Sequence, residues 1–175
     1  MQSRTPDTGP ADAASEGPLS AQLAFAVVGA RRRAQRDGDR QVDTAHLLHT
    51  LLEADPTTSR AFDGGPAQVA RLLGYLVQRT IGYGLRWRGT VEGTCLPPAS
   101  GDGGVPRWSP AAATAMEGAR ARARARGADR VEGLDLLAAL TRDRRCRAVH
   151  VLRRAGVDPD ALTARLDDHL FDLER

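Results

Sequence analysis

The sequence has no lysine, so all 25 of its basic residues are arginines. A Walker-type phosphate loop must end in Lys followed by Ser or Thr, and its absence excludes a nucleotide-driven motor within this sequence. Aromatic residues make up only 4%, so the core must be built from Leu, Val and Ala, and few rings are available to stack on bases. The two cysteines, Cys95 and Cys146, have neither metal nor redox spacing. They read as reduced thiols of a cytoplasmic protein. No apolar run reaches membrane-spanning length. The opening residues are Pro, Gly, Asp and Ser without the apolar stretch of a secretory signal. No alternating pattern of the kind that marks a strand is present either.

What is present is a chain of 175 residues, 41% hydrophobic, with a net charge of +3, sized for one domain. Its dominant feature is a repeat. Leu19 to Leu51 reads LSAQLAFAVVGARRRAQRDGDRQVDTAHLLHTL, and Trp108 to Leu140 reads WSPAAATAMEGARARARARGADRVEGLDLLAAL. Ser20 and Ser109, Ala30 and Ala119, Gly38 and Gly127, Val42 and Val131, and Leu47 and Leu136 all share one offset without a gap. An ungapped repeat of this length indicates a duplicated unit whose copies stack.

Residues 1–18 are expected to be a disordered tail. Ser20 then caps a helix with an apolar stripe of Leu23, Ala26, Val27, Ala30 and Ala34, which Gly38 ends. Asp43 or Thr44 caps a second helix that buries Leu47, Leu48, Leu51 and Leu52. A short third helix is expected around Ala61 and Phe62. A fourth follows Gly64-Gly65-Pro66 and buries Val69, Leu72, Leu73, Leu76 and Val77. Residues 83–107 have loop composition and read as a linker between half-domains. The second copy opens with Ser109-Pro110 and repeats the stripe as Ala112, Ala115, Met116, Ala119 and Ala123. Leu136, Leu137 and Leu140 mark its second helix, Ala148 to Leu152 its third, and Leu162, Leu166 and Leu170 its fourth. The fold class is therefore all-α, with eight helices in two repeats of four, residues 19–82 and 108–175.

A Ser-capped helix, a Gly some eighteen residues later, then Val and a T-x-H-L-L motif resemble the N-terminal domain of Clp unfoldases, most closely the ClpC type. The motifs stand here as LSAQ with VDTAHLLHTLL and as WSPA with VEGLDLLAAL, and the likeness runs from about Leu19 to Leu170. It implies an all-α double Clp-N repeat with pseudo-twofold symmetry that docks adaptors and substrates and does no chemistry. Some family members recognise phosphoarginine through a Glu after the motif Thr and an Arg near the helix start. Ala45 and Leu134 stand at the Glu positions, Gln22 and Ala111 at the Arg positions. A guanidinium needs a carboxylate and a phosphate needs a cation, so phosphoarginine is not an expected ligand.

By the same resemblance, the partner-binding candidates are Leu19, Ser20 and Gln22 with Trp108, Ser109 and Ala111, the residues that open the two copies. Leu19 and Trp108 precede the caps, where family members place a Phe near a groove that takes peptides and cyclic peptide antibiotics. Trp108 is either an anchor for a partner or a hydrophobic staple on its own helix. His46 and His49 lie one turn apart, yet two ligands do not make a metal site. His46 reads as a hydrogen-bonded interhelical residue, replaced by Asp135 in the second copy. The arginines at 120, 122, 124 and 126 divide between two helix flanks and read as a solvated face. Cys146 with His150 four residues on lacks a group to orient the base. No catalytic residue, metal or cofactor is expected. The reading is a protein- or peptide-binding module acting as adaptor, regulator or ligand-sequestering decoy for Clp-dependent proteolysis, in contact with an unfoldase, its adaptors or its substrates. The alternative is a basic helical nucleic-acid-associated protein.

Overall fold

A computed structural model describes residues 17–78, 92–93 and 106–173, with side chains described as far as 168. The expected tail (1–16), most of the expected linker, Cys95 and the side chain of Leu170 lie outside the described residues. The helices are α1 (Ala21–Arg36), α2 (Thr44–Ala54), α3 (Pro56–Ser59), α4 (Gly65–Gln78), α5 (Pro110–Ala125), α6 (Gly133–Arg142), α7 (Arg147–Arg154) and α8 (Pro159–Leu173), with strands β1 (Gln41–Val42) and β2 (Arg107–Trp108). The protein is all-α.

The two copies begin alike because the same local chemistry acts in each. The Ser20 hydroxyl accepts the N–H of Leu23, and the Ser109 hydroxyl accepts that of Ala112. Each cap contributes about 1 kcal/mol. Gly38 and Gly127 both adopt positive φ, 71° and 64°, just past their helices, a backbone conformation that strains residues with a Cβ. The buried faces of α1 and α5 consist largely of alanine, which lets the leucines of α2 and α6 come close. Gly29 faces Thr50 and Gly118 faces Ala139, and an added Cβ would stand 3.3 and 3.2 Å from them. These are equivalent positions of the two copies. The tight α1–α2 contact is thus repeated as α5–α6.

Strand pairing is the first departure from expectation. The segment opening each copy pairs with the segment leading into the second helix of the other copy. Leu19 forms a parallel bridge with Val131, and Val42 pairs in parallel with Trp108. Ser20 donates its N–H to the Val131 carbonyl and Ser109 to that of Val42, each at 2.9 Å. Leu19 matches Trp108 and Val42 matches Val131 in the repeat, so the exchange is reciprocal. Two residues per strand are too few to leave an alternating pattern in a sequence.

Smaller corrections concern the first copy. Helix α3 spans Pro56–Ser59, so Ala61 and Phe62 lie beyond it, although both are buried. Asp55 caps this helix with Pro56 at its start, a signal the apolar residues downstream obscured. Val77, expected inside, is exposed, and Leu73 is only partly buried. In the second copy, Ala148, Val149, Val151 and Leu152 of α7 and Leu162 and Leu166 of α8 are buried as expected.

Candidate functional site

The six expected binding residues take different places. Gln22 is exposed on the first turn of α1, and Leu19 is half-buried in its bridge. Ser20 and Ser109 are buried, with hydroxyls committed to capping. Trp108 is half-buried, and the Arg31 guanidinium lies over its ring at 5.3 Å from the centroid. This cation–π pair joins α1 of one copy to the start of α5 in the other. On α1, Val28 precedes Arg31 by three residues and Phe25 precedes Val28 by three. They are 47% and 70% exposed, an apolar strip leading to the Arg31–Trp108 pair. Ala111 is buried and lines a cavity of about 290 Å³ together with Thr44, Ala115, Gly118, Ala139 and Cys146.

Sequence reasoning missed the polar junction beside that cavity. Glu92 lies in the expected linker, yet it is buried. Its carboxylate accepts the N–H of Thr44 at 2.8 Å, the N–H of Arg147 at 2.6 Å and the Ser109 hydroxyl at 2.8 Å, and it also bonds the Thr44 hydroxyl. The N–H of Ala148 in turn donates to the Thr44 hydroxyl at 2.9 Å. Next to it the Arg147 guanidinium bonds Asp43 at 2.6 Å, with both residues buried. A single Glu in a Gly- and Pro-rich stretch carries no sequence signal for this role. Asp55 is a buried carboxylate at the start of α6: its Oδ2 stands 2.2 Å from where a Cβ on Gly133 would be.

The capping of α2 and α6 shows one design in two polarities. His46 is fully buried. Its Nδ1 accepts the Asp43 N–H at 3.2 Å, while Nε2 lies 3.1 Å from Asp39 and 3.9 Å from Asp37. The ligand atoms of Asp37, Asp39 and His46 lie within 4.8 Å of one another, compact enough for an ion. The local electrostatics account for them otherwise: with Nδ1 accepting, Nε2 carries the proton and faces the two carboxylates. In the second copy Asp135 accepts the Glu132 N–H at 2.8 Å and pairs with Arg126 at 2.6 Å. The hydrogen bond to Asp135 raises the Arg126 pKa. Acid and base have changed places between equivalent positions.

The arginine run is not the uniformly solvated face expected. Arg122 is buried and bonds Asp167 and the Leu166 carbonyl, and Arg126 is held by Asp135. A two-residue step rotates these side chains to different flanks of α5, and one flank meets α6 and α8.

Cys146 lacks the features of a nucleophile. It caps α7, donates to the Leu140 carbonyl at 3.4 Å and accepts the Val149 N–H. Burial pushes its pKa from about 9 up to about 11, so the reactive thiolate is scarce at neutral pH. The folded state keeps a proton that the unfolded chain loses sooner. The resulting stabilisation is complete below pH 9 and disappears as pH rises to about 11. It amounts to on the order of 2–3 kcal/mol. Urea melts of the Cys95→Ser chain are expected to show this decline, and the further change Cys146→Ser is expected to remove it.

Residues 107–175 match the family model of the Clp repeat (R) N-terminal domain. The match covers the second repeat. Solved structures extend the likeness in fold to most of the chain. The N-terminal domain of the caseinolytic protease associated chaperone ClpD from Arabidopsis thaliana is 18% identical with a TM-score of 0.59, covering 87% of this chain and 94% of that one. The Hsp104 N-terminal domain from Candida albicans is 14% identical with a TM-score of 0.62, covering 85% and 89%. A structure from investigations of a malarial protein secretion system is 15% identical with a TM-score of 0.62, covering 88% and 95%. At these identities the likeness establishes the Clp-repeat fold. No curated protein matches the chain in sequence. Among the described residues, no helix is long and apolar enough to cross a membrane.

Proposed function

We propose that the chain is a non-catalytic protein- or peptide-binding module of Clp-dependent proteolysis, serving as adaptor, regulator or decoy for ligands of a Clp unfoldase. Those ligands include adaptors, substrates and cyclic peptide antibiotics. The observation that carries the reading is the apolar strip of Phe25 and Val28 leading to the Arg31–Trp108 pair, on a Clp-repeat fold. An aromatic ring with a guanidinium beside exposed apolar side chains is the composition of a binding hot spot. Gln22 and Trp108 offer reachable side chains, whereas Ser20 and Ser109 shape the site by fixing the starts of α1 and α5. The nucleic-acid alternative loses two of its arginines, Arg122 and Arg126, to ion pairs.

The test is capture of a purified Clp unfoldase, and of its adaptors and substrates, on the immobilised chain. Trp108→Ala is expected to weaken the complex by about tenfold or more, equivalent to roughly 1.4 kcal/mol or above, with the helical circular dichroism unchanged. Failure to capture any of the three, or equal binding by Trp108→Ala and Phe25→Asp, counts against the proposal.

A further inference from the structure

Helix α1 buries one side against α2, and its outer side is divided along its length. Ala21, Phe25, Val28, Arg32, Gln35 and Arg36 fall at i, i+4, i+7, i+11, i+14 and i+15, a single face of a helix. All six are exposed. The N-terminal half of this face is apolar and the C-terminal half is cationic. At its edge the Arg31 guanidinium lies over the Trp108 ring, which carries the strip across to the second repeat.

The cationic half has no counter-charge of its own. No acidic residue occurs in α1. The carboxylates that follow or flank it are turned elsewhere: Glu53 pairs with Arg33 at 2.8 Å, and Asp37 and Asp39 lie 3.9 and 3.1 Å from the buried His46. Among the described residues, Arg32 and Arg36 enter no ion pair. A second copy of the chain does not suit this face, because two α1 helices laid together would bring arginines and no carboxylate to the contact. Nucleic-acid phosphates would meet the arginines but leave the apolar half uncovered.

We infer that this face docks an amphipathic helix of another protein, one whose apolar half is preceded by carboxylates. Apolar side chains of the partner cover Phe25 and Val28, and its carboxylates meet Arg32 and Arg36. Carboxylates stabilise the first turns of a helix, where the dipole is positive. The partner's acidic beginning therefore lies over the end of α1, and the two helices run antiparallel. Resting on the reading of this strip as a docking surface, the inference adds the partner's chemistry and its direction.

The probe is a fluorescein-labelled synthetic peptide of the length of α1, with Glu along one face of its first half and Leu along the same face of its second. A second peptide carries Lys in place of Glu, and a third has the halves exchanged. Fluorescence anisotropy with the full chain is expected to show saturable binding of the first peptide, about tenfold or more tighter than either control and weaker as salt rises. The double variant Arg32→Glu, Arg36→Glu is expected to reverse the preference and bind the Lys peptide more tightly. Both side chains are exposed, so its helical circular dichroism should match the parent's. No binding of the Glu peptide, equal affinity for any two of the three peptides in the parent, or an unreversed preference in the double variant overturns the inference. So does an oligonucleotide that binds more tightly than the Glu peptide, or self-association of the chain that Phe25→Asp abolishes. The assay contains no Clp component, so its outcome and that of the unfoldase capture are read separately.

Discussion

Arg147→Met is expected to lower stability by about 3–5 kcal/mol, the loss seen when one member of a buried ion pair is removed. Asp43 is fully buried, and its Oδ2 bonds the Arg147 guanidinium at 2.6 Å. Its Oδ1 accepts the His46 N–H at 2.9 Å as the cap of α2. Removing the guanidinium leaves that carboxylate without its counter-charge and out of reach of water. For a chain of this size the melting temperature should fall by about 6–20 °C. The double variant Asp43→Asn, Arg147→Met separates this effect from lost packing. Asn retains the cap and carries no charge, so the double variant should be more stable than Arg147→Met alone. Calorimetry of the three proteins measures the difference. A double variant less stable than the single would show that packing of the Arg147 stem dominates.

Gly133→Thr, which gives the second repeat the residue that the first has at Thr44, should destabilise by about 3 kcal/mol or more. Helix propensity argues the other way, since replacing a helical glycine ordinarily gains up to about 1 kcal/mol. Space decides the sign. A Cβ at 133 would lie 2.2 Å from Asp55 Oδ2, 2.9 Å from Thr58 Cγ2 and 3.1 Å from Leu51 Cδ1. Asp55 cannot turn aside freely, because its Oδ1 caps Thr57 at 2.9 Å, and Thr58 is fully buried. Gly133→Ala, with the Cβ alone, should already be destabilising. A urea midpoint for Gly133→Ala at or above the parent's would show that α3 moves away without penalty.

The fold was legible because its signals are local and occur twice. Ser20, Gly38 and the leucines of α2 specify a capped amphipathic pair, and the constant offset to Ser109, Gly127 and Leu136 specifies its duplication. Positions where the copies meet were not legible. Val42 and Val131 look like ordinary apolar residues until their partners Trp108 and Leu19 are known. Glu92 lies 48 residues from Thr44 and 55 from Arg147, and no periodicity encodes contacts at that range. The candidate site was legible only in part. Trp108 is placed beside Arg31 of the other copy, whereas Ser20 and Ser109 serve the helices they open. The Arg122 ion pair escaped notice because helix geometry assigns a flank and not the neighbour that covers it.

The reciprocal pairing of Leu19 with Val131 and of Trp108 with Val42 is the contact pattern of an isologous dimer, in which residue i meets j and j meets i. A lone repeat would have only half of each pairing and would need a second molecule of itself to complete both. Duplication within one chain makes that partner permanently available and independent of concentration. It also releases the halves from identity: one can carry His46 where the other has Asp135, and one Thr44 where the other has Gly133, asymmetries that a true homodimer could not hold.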